Sequence, residues 1–290
     1  MSAPAPLDLR TGVAVLTGAA SGIGAALAPL LARRGARLAL VDVNGPQLQT
    51  TATLARAQGV DVSTHVLDLA SPDAARQLHD EVLAAHGRVS VLVNNAGVAL
   101  GGNFMQVAAA DFDWLMSINF GAVVTLTRVF MPLLAREPAA QIVNLSSIFG
   151  IIAPPGQTAY CASKFAVRGF SEALRHELQT AGSPVGVTLV HPGGVRTRIA
   201  QDARVPAGAG AAEVAQRKAA ADRLLTLAPE AAAARILRGI ERREARVLVG
   251  SDAVRAAWLQ RLFPVSYWQH LARHFARHGA AGERAAPAQA

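Results

Sequence analysis

Short runs rich in β-branched residues and leucine alternate along the chain with longer stretches in which apolar positions recur every three or four residues. The runs GVAVLT (12–17), RLALVDV (37–43), VSTHVLD (62–68), VSVLVN (89–94), QIVNLS (141–146), VGVTLVH (185–191) and ARVLVG (245–250) read as strands. They are nearly continuous in apolar residues, as expected of strands covered on both faces. Segments 23–34, 46–58, 72–86, 111–136, 158–181 and 229–243 carry helical spacing, with start signals such as Ser71-Pro72-Asp73. Strict alternation of the two kinds predicts an α/β fold: a doubly wound parallel sheet with helices on both faces, α/β/α in three layers. Residues 198–228 break the rhythm. They are rich in Ala and Gly, hold Pro206 and follow a strand end, which reads as a lid. One domain over 1–250 that includes this lid, a basic aromatic helical extension over 251–278 and a disordered tail over 279–290 are expected.

A chain of 290 residues is long enough to bury a large core without covalent staples. The single cysteine, Cys161, has no intramolecular partner and suits a small buried position, which fits a reducing compartment and a cytoplasmic protein. The opening MSAPAPLDLRTG lacks the features of a signal peptide, and no window reaches the ~18 uninterrupted apolar residues of a membrane span. Formal charge is +8, concentrated near the end, where residues 231–290 hold ten arginines against four acids. The stretch AVRAAWLQRLFPVSYWQHLARHFARHG sets Trp258, Leu262, Phe263, Tyr267, Trp268, Leu271 and Phe275 among arginines and histidines, and Pro264 divides it. Packing or a subunit contact is the favoured reading; covering a pocket mouth or lying on a membrane surface are the others. Nucleic-acid binding is not expected, because the charge comes with no reader motif.

Gly18-Ala19-Ala20-Ser21-Gly22-Ile23-Gly24 follows the first strand and opens the first helix. Such a turn lets backbone approach a pyrophosphate held at the helix N-terminus. Asp42 closes the second strand, near the ~20-residue spacing expected of an acid that bonds an adenosine ribose. A carboxylate there repels a 2′-phosphate, and Val43 and Asn44 supply no cation, so NAD(H) is favoured over NADP(H). Asp68, with Leu69 beside it, ends the third strand and reads either as an adenine neighbour or as a helix-start residue.

Three more strand ends are polar: Asn94-Asn95-Ala96-Gly97, Ser146-Ser147 and His191-Pro192-Gly193-Gly194-Val195-Arg196-Thr197. In open α/β sheets ligands sit beyond the carboxyl ends of strands. Tyr160 and Lys164, from two tyrosines and two lysines in the chain, lie one helical turn apart. An adjacent ammonium is expected to lower the phenol from its usual value near ~10 and fit it for general acid/base work. Ser147 is placed to donate to a carbonyl oxygen that gains charge, and Asn119 to hold a water near Lys164.

These motifs together resemble the short-chain dehydrogenase/reductase family, in its shorter non-extended branch. The matching residues are Thr17-Gly18-x-x-x-Gly22-x-Gly24, Asp68, Asn94-Asn95-Ala96-Gly97, Asn119, Ser147, Tyr160-x-x-x-Lys164 and Pro192-Gly193-x-Val195-x-Thr197, in order across roughly 10–250. The resemblance implies a seven-stranded Rossmann-type sheet and a catalytic tetrad of Asn119, Ser147, Tyr160 and Lys164. It also implies that Lys164 holds the nicotinamide ribose, that Val195 and Thr197 contact the carboxamide, and that Ser147 rather than Ser146 is the reactive serine. Substrate would meet the segments 149–157, 98–103 and 198–226, with Phe149, Pro154, Gln157 and Ile199 as contacts. Phe149, Ile151, Ile152, Pro154 and Pro155 make the first wall apolar, so a hydrophobic alcohol or ketone is expected; the alternative is that they only pack against the lid. The expected protein is an NAD(H)-dependent alcohol/ketone oxidoreductase, a homodimer or homotetramer without a metal. An NADP-preferring carbonyl reductase and a non-catalytic cofactor-binding scaffold are the alternatives.

Overall fold

A computed structural model of the chain describes residues 5–272. Phe275 and the tail 279–290 lie outside the described residues. The elements run β1 (Val13–Thr17), α1 (Gly22–Arg33), β2 (Arg37–Asp42), α2 (Gly45–Arg56), β3 (Val62–Val66), α3 (Ala74–His86), β4 (Val91–Asn94), α4 (Ala109–Met116), α5 (Ala122–Leu134), β5 (Ala140–Leu145), α6 (Thr158–Thr180), β6 (Val185–Pro192), α7 (Ala211–Leu224), α8 (Pro229–Glu241), β7 (Arg246–Val249) and α9 (Ser251–Leu262).

All seven strands join one parallel sheet in the order β3-β2-β1-β4-β5-β6-β7. The chain winds outward from β1 to one edge, returns to β4 and winds to the other. This reversal leaves a crevice between β1 and β4 at the carboxyl ends of the strands, where such sheets take ligands. Strand residues alternate between two apolar layers. Ala14, Leu16, Leu38 and Leu40 join the layer of α1 and α8, while Val15, Ala39 and Val41 join that of α3 and α5. The edge strand β3 departs from the expected two-sided burial: only His65 in it is buried, and Val66 is exposed.

Local chemistry sets several boundaries. The Asn44 side chain accepts from Gln47 N at the start of α2, with Pro46 in the first turn. Gly87 ends α3 in the left-handed conformation, φ +71°. The start signal at Ser71-Pro72-Asp73 is realised without a side-chain cap, the helix opening at Ala74.

The long helix read from the sequence needs correction. The helix expected over 111–136 is α4 and α5 joined by a wide π turn, Ser117–Gly121. By length and composition this continuous stretch could cross a membrane, yet Leu126, Phe130 and Leu134 are buried in the layer against the sheet. The segment 198–228 contains one helix, α7, none of whose residues is buried.

Candidate active site

The glycine turn after β1 is fastened to the end of β4. Thr17 Oγ1 accepts from Asn95 N and Ala96 N, both at 3.0 Å, and Asn95 Nδ2 donates to the carbonyls of Thr17 (2.8 Å) and Gly18 (3.0 Å). Gly18 has φ +65°, and a Cβ there would stand 2.8 Å from Ala96 Cα. A Cβ on Gly24 would come within 2.1 Å of the Gly18 carbonyl oxygen, and one on Gly22 within 2.8 Å of Thr197 Cγ2. Glycines at these places keep the turn against Ala96 and Thr197 with backbone facing the cleft. Ser21 is exposed at the α1 cap position without a capping bond, and Ile23 packs on the core.

Asp42 is held at the same edge. Its Oδ2 accepts from Ala20 N (2.9 Å) and its Oδ1 from Asn44 N (3.0 Å), which ties the acid to the glycine turn and to the start of α2. Asp68 accepts from Ala70 N (2.9 Å) in a turn, and Leu69 packs on the α3–α5 layer. Beyond β6, Gly193 N donates to Val249 O (2.9 Å) and Gly194 N to Asp252 Oδ2 (2.6 Å). Val195 is buried and pairs with Leu227.

The π turn sets Asn119 against the loop after β4. Asn119 Oδ1 accepts from Val98 N (2.8 Å), and its Nδ2 donates to Val98 O (3.0 Å) and Ser163 Oγ (3.1 Å). Inserted π turns are frequent at functional sites. A Cβ on Gly97 would stand 3.3 Å from both Asn119 Oδ1 and Lys164 Nζ, so the two polar groups flank that glycine. The water-holding role expected of Asn119 competes with these direct bonds to Val98 and Ser163.

Helix α6 brings Tyr160 and Lys164 to the end of β5. Lys164 Nζ donates to Leu145 O (3.2 Å) and lies 5.5 Å from the Tyr160 ring centroid. Ser147 Oγ accepts from Phe149 N (3.1 Å), and its hydroxyl is near enough to the Tyr160 phenol to favour the phenolate. Ser146 donates to Lys164 O (2.9 Å), a bond to the backbone of α6. Phe149 meets Tyr160 edge-on, with centroids 6.1 Å apart.

Burial dominates the electrostatics. It pushes the Tyr160 phenol up to about 12, opposed by the nearby Ser147 hydroxyl, and pulls the Lys164 ammonium down to about 8. This corrects the expectation of a lowered phenol: in the chain by itself, the cost of burying a phenolate outweighs the nearby cation. Burial likewise raises the Cys161 thiol to about 12, so that residue is no nucleophile. His191 is pulled down to about 4 by burial, and its Nδ1 pairs with Ser147 O at 2.8 Å.

A family model described as short chain dehydrogenase matches residues 12–207. The chain belongs to the short-chain dehydrogenase/reductase family. It is 43% identical over 266 residues to the putative oxidoreductase SadH of Mycobacterium tuberculosis, covering 91% of this chain and 95% of that one. Among solved structures, a short-chain dehydrogenase/reductase from Burkholderia phymatum in complex with NAD is 32% identical, with TM-score 0.82 over 89% of this chain and 95% of that one. A metagenomic short-chain oxidoreductase in complex with NADP is 31% identical, with TM-score 0.67 over 84% of this chain and 98% of that one. The seven-stranded Rossmann-type fold is shared with these neighbours.

In this short-chain dehydrogenase/reductase Tyr160 packs with Val98, Leu100, Leu115 and Ala159, and against Phe149. Ile151 and Ile152 are buried, but against Ala256, Tyr267 and Leu271 of the C-terminal segment rather than against the lid. Phe149, Pro154 and Gln157 are partly exposed, and Ile199 begins the lid. The lid is strapped to the loop after β4: Gly101 N donates to Arg204 O (3.1 Å), Arg204 N to Ala99 O (3.0 Å), and the Arg204 guanidinium lies 3.4 Å from the Trp114 ring centroid. The bonds made by four supporting residues were not read from the sequence. Ser163 and Asp252 bond Asn119 and the Gly194 turn, His191 holds the Ser147 carbonyl, and Tyr267 accepts from Ala153 N at 3.0 Å. Ser163, His191 and Tyr267 stand in stretches singled out from the sequence, whereas Asp252 carried no signal.

Proposed function

We propose that this oxidoreductase uses NAD(H) to interconvert a hydrophobic secondary alcohol and its ketone, with Asn119, Ser147, Tyr160 and Lys164 as the reaction centre. The observation that carries the reading is Lys164 Nζ lying 5.5 Å from the Tyr160 ring and flanking Gly97, next to Asn95 and Ala96, which fasten the glycine turn that bonds Asp42. The cradle fits a dinucleotide: glycines where a Cβ would collide, a carboxylate at the end of β2, and an ammonium with one protein acceptor recorded among its three donors. When bound, the nicotinamide supplies or accepts the hydride.

The chain's own groups handle the proton. In reduction, the protonated Tyr160 phenol donates its proton to the carbonyl oxygen, and Ser147 steadies that oxygen by a hydrogen bond. In oxidation, Tyr160 receives the alcohol proton, with the Lys164 charge favouring the phenolate. Asn119 fixes Val98 and Ser163 and so the floor on which Lys164 stands. The Asp42 carboxylate favours ribose hydroxyls over a 2′-phosphate. The NADP complex of one neighbour supports the second reading, an NADP-preferring reductase. Initial rates with a panel of aliphatic, aromatic and polycyclic alcohols, each with NAD and with NADP, separate the two. The reading also makes the protein a cytoplasmic homodimer or homotetramer, open to light scattering and cell fractionation.

A further inference from the structure

Helix α9 presents two different faces. Inward, Ala253 and Ala256 are buried and Asp252 bonds Gly194 N. After the turn at Pro264, Tyr267 and Leu271 fold back onto the cluster of Ile151 and Ile152, where Tyr267 accepts from Ala153 N. Outward, Val254, Trp258 and Leu262 form one row at four-residue spacing, continued by Phe263 and Val265. Trp258 is 60% exposed, Leu262 66% and Val265 93%. Single exposed apolar residues are ordinary, but five within this short stretch make a patch.

Charge restricts what covers it. Arg255 follows Val254 on one side of the row and Arg261 precedes Leu262 on the other, both exposed. No acid occurs between residues 253 and 272, and Asp252 is turned inward. A two-fold contact between copies through this row would set arginine against arginine with no carboxylate from residues 253–272 between them. An anionic surface with an apolar interior complements both features.

We propose that this face of α9 docks on an anionic phospholipid bilayer. Trp258, Leu262 and Val265 enter the boundary between headgroups and acyl chains, and Arg255 and Arg261 reach lipid phosphates. The inward anchors present the face already ordered, so docking does not first require the helix to fold. The docking surface stands independently of the substrate reading.

The full-length chain is sedimented with vesicles of phosphatidylcholine alone and of phosphatidylcholine with phosphatidylglycerol, at low and raised salt. Binding at least about tenfold stronger to the anionic vesicles, weakened by salt, is expected. The double variant Trp258→Glu/Leu262→Glu, shown folded by circular dichroism and NADH binding, loses that binding. Equal sedimentation with both vesicle types, or undiminished binding by the variant, overturns the proposal. So does a wild-type chain that ignores vesicles while the variant splits an oligomer seen by light scattering, which would make the occupant a second copy.

Discussion

Lys164 Nζ lies 5.5 Å from the centroid of the Tyr160 ring, one turn along α6, with the Leu145 carbonyl as its protein acceptor. Both side chains are driven towards neutrality by burial, the phenol to about 12 and the ammonium to about 8. The pair is therefore poised to change charge when an anionic or cationic group is brought beside it.

Lys164 is charged below about pH 8 and loses its proton above it. Its ammonium aids a negatively charged dinucleotide only while protonated. NADH affinity, followed by fluorescence titration, is expected to fall as pH rises through this value. In Lys164→Met it is weaker throughout and flat with pH.

Asp42 bonds the glycine turn through Ala20 N and is the ribose acceptor in our reading. Asp42→Ala is expected to weaken NAD about tenfold or more, the equivalent of roughly 1.4 kcal/mol, while NADP changes less. Cofactor dissociation constants for the variant and the wild type measure the shift in preference.

A Cβ at Gly24 would approach the Gly18 carbonyl oxygen to 2.1 Å. Gly24→Ala must therefore move the turn, at a cost of about 1–3 kcal/mol as for other overpacked sites. A lower denaturation midpoint together with weakened NADH binding is the expected pair of results.

His191 takes its proton only near pH 4 when folded, against 6.5 for its ordinary value. The unfolded chain thus binds more protons between these limits, and stability falls as pH drops through that window. The loss attributable to this residue is on the order of 3 kcal/mol. Urea unfolding from pH 7 to pH 4 should show a shallower acid loss for His191→Asn, whose amide can still donate to Ser147 O.

The strands were legible because their apolar runs lie between two covered layers, and the grouping of Tyr160, Lys164 and Ser147 because local spacing on α6 and the end of β5 fixes it. What escaped depends on contacts distant in sequence. Ser117–Gly121 has ordinary helical composition, and nothing local in it signals that Asn119 must reach the Val98 backbone. Helix α7 buries no residue, so its alanine-rich sequence carried little periodic signal. Ile151 and Ile152 read as pocket wall because their cover arrives from Ala256, Tyr267 and Leu271, more than a hundred residues later.

The central claim is that Tyr160 carries the proton, and Tyr160→Phe tests it most directly because the ring and its edge contact with Phe149 remain. The measurement is kcat/KM for an alcohol turned over by the wild type, alongside NADH affinity. The account predicts a loss of roughly 10²–10⁴ in kcat/KM with cofactor affinity unchanged. Turnover at the wild-type rate would contradict it.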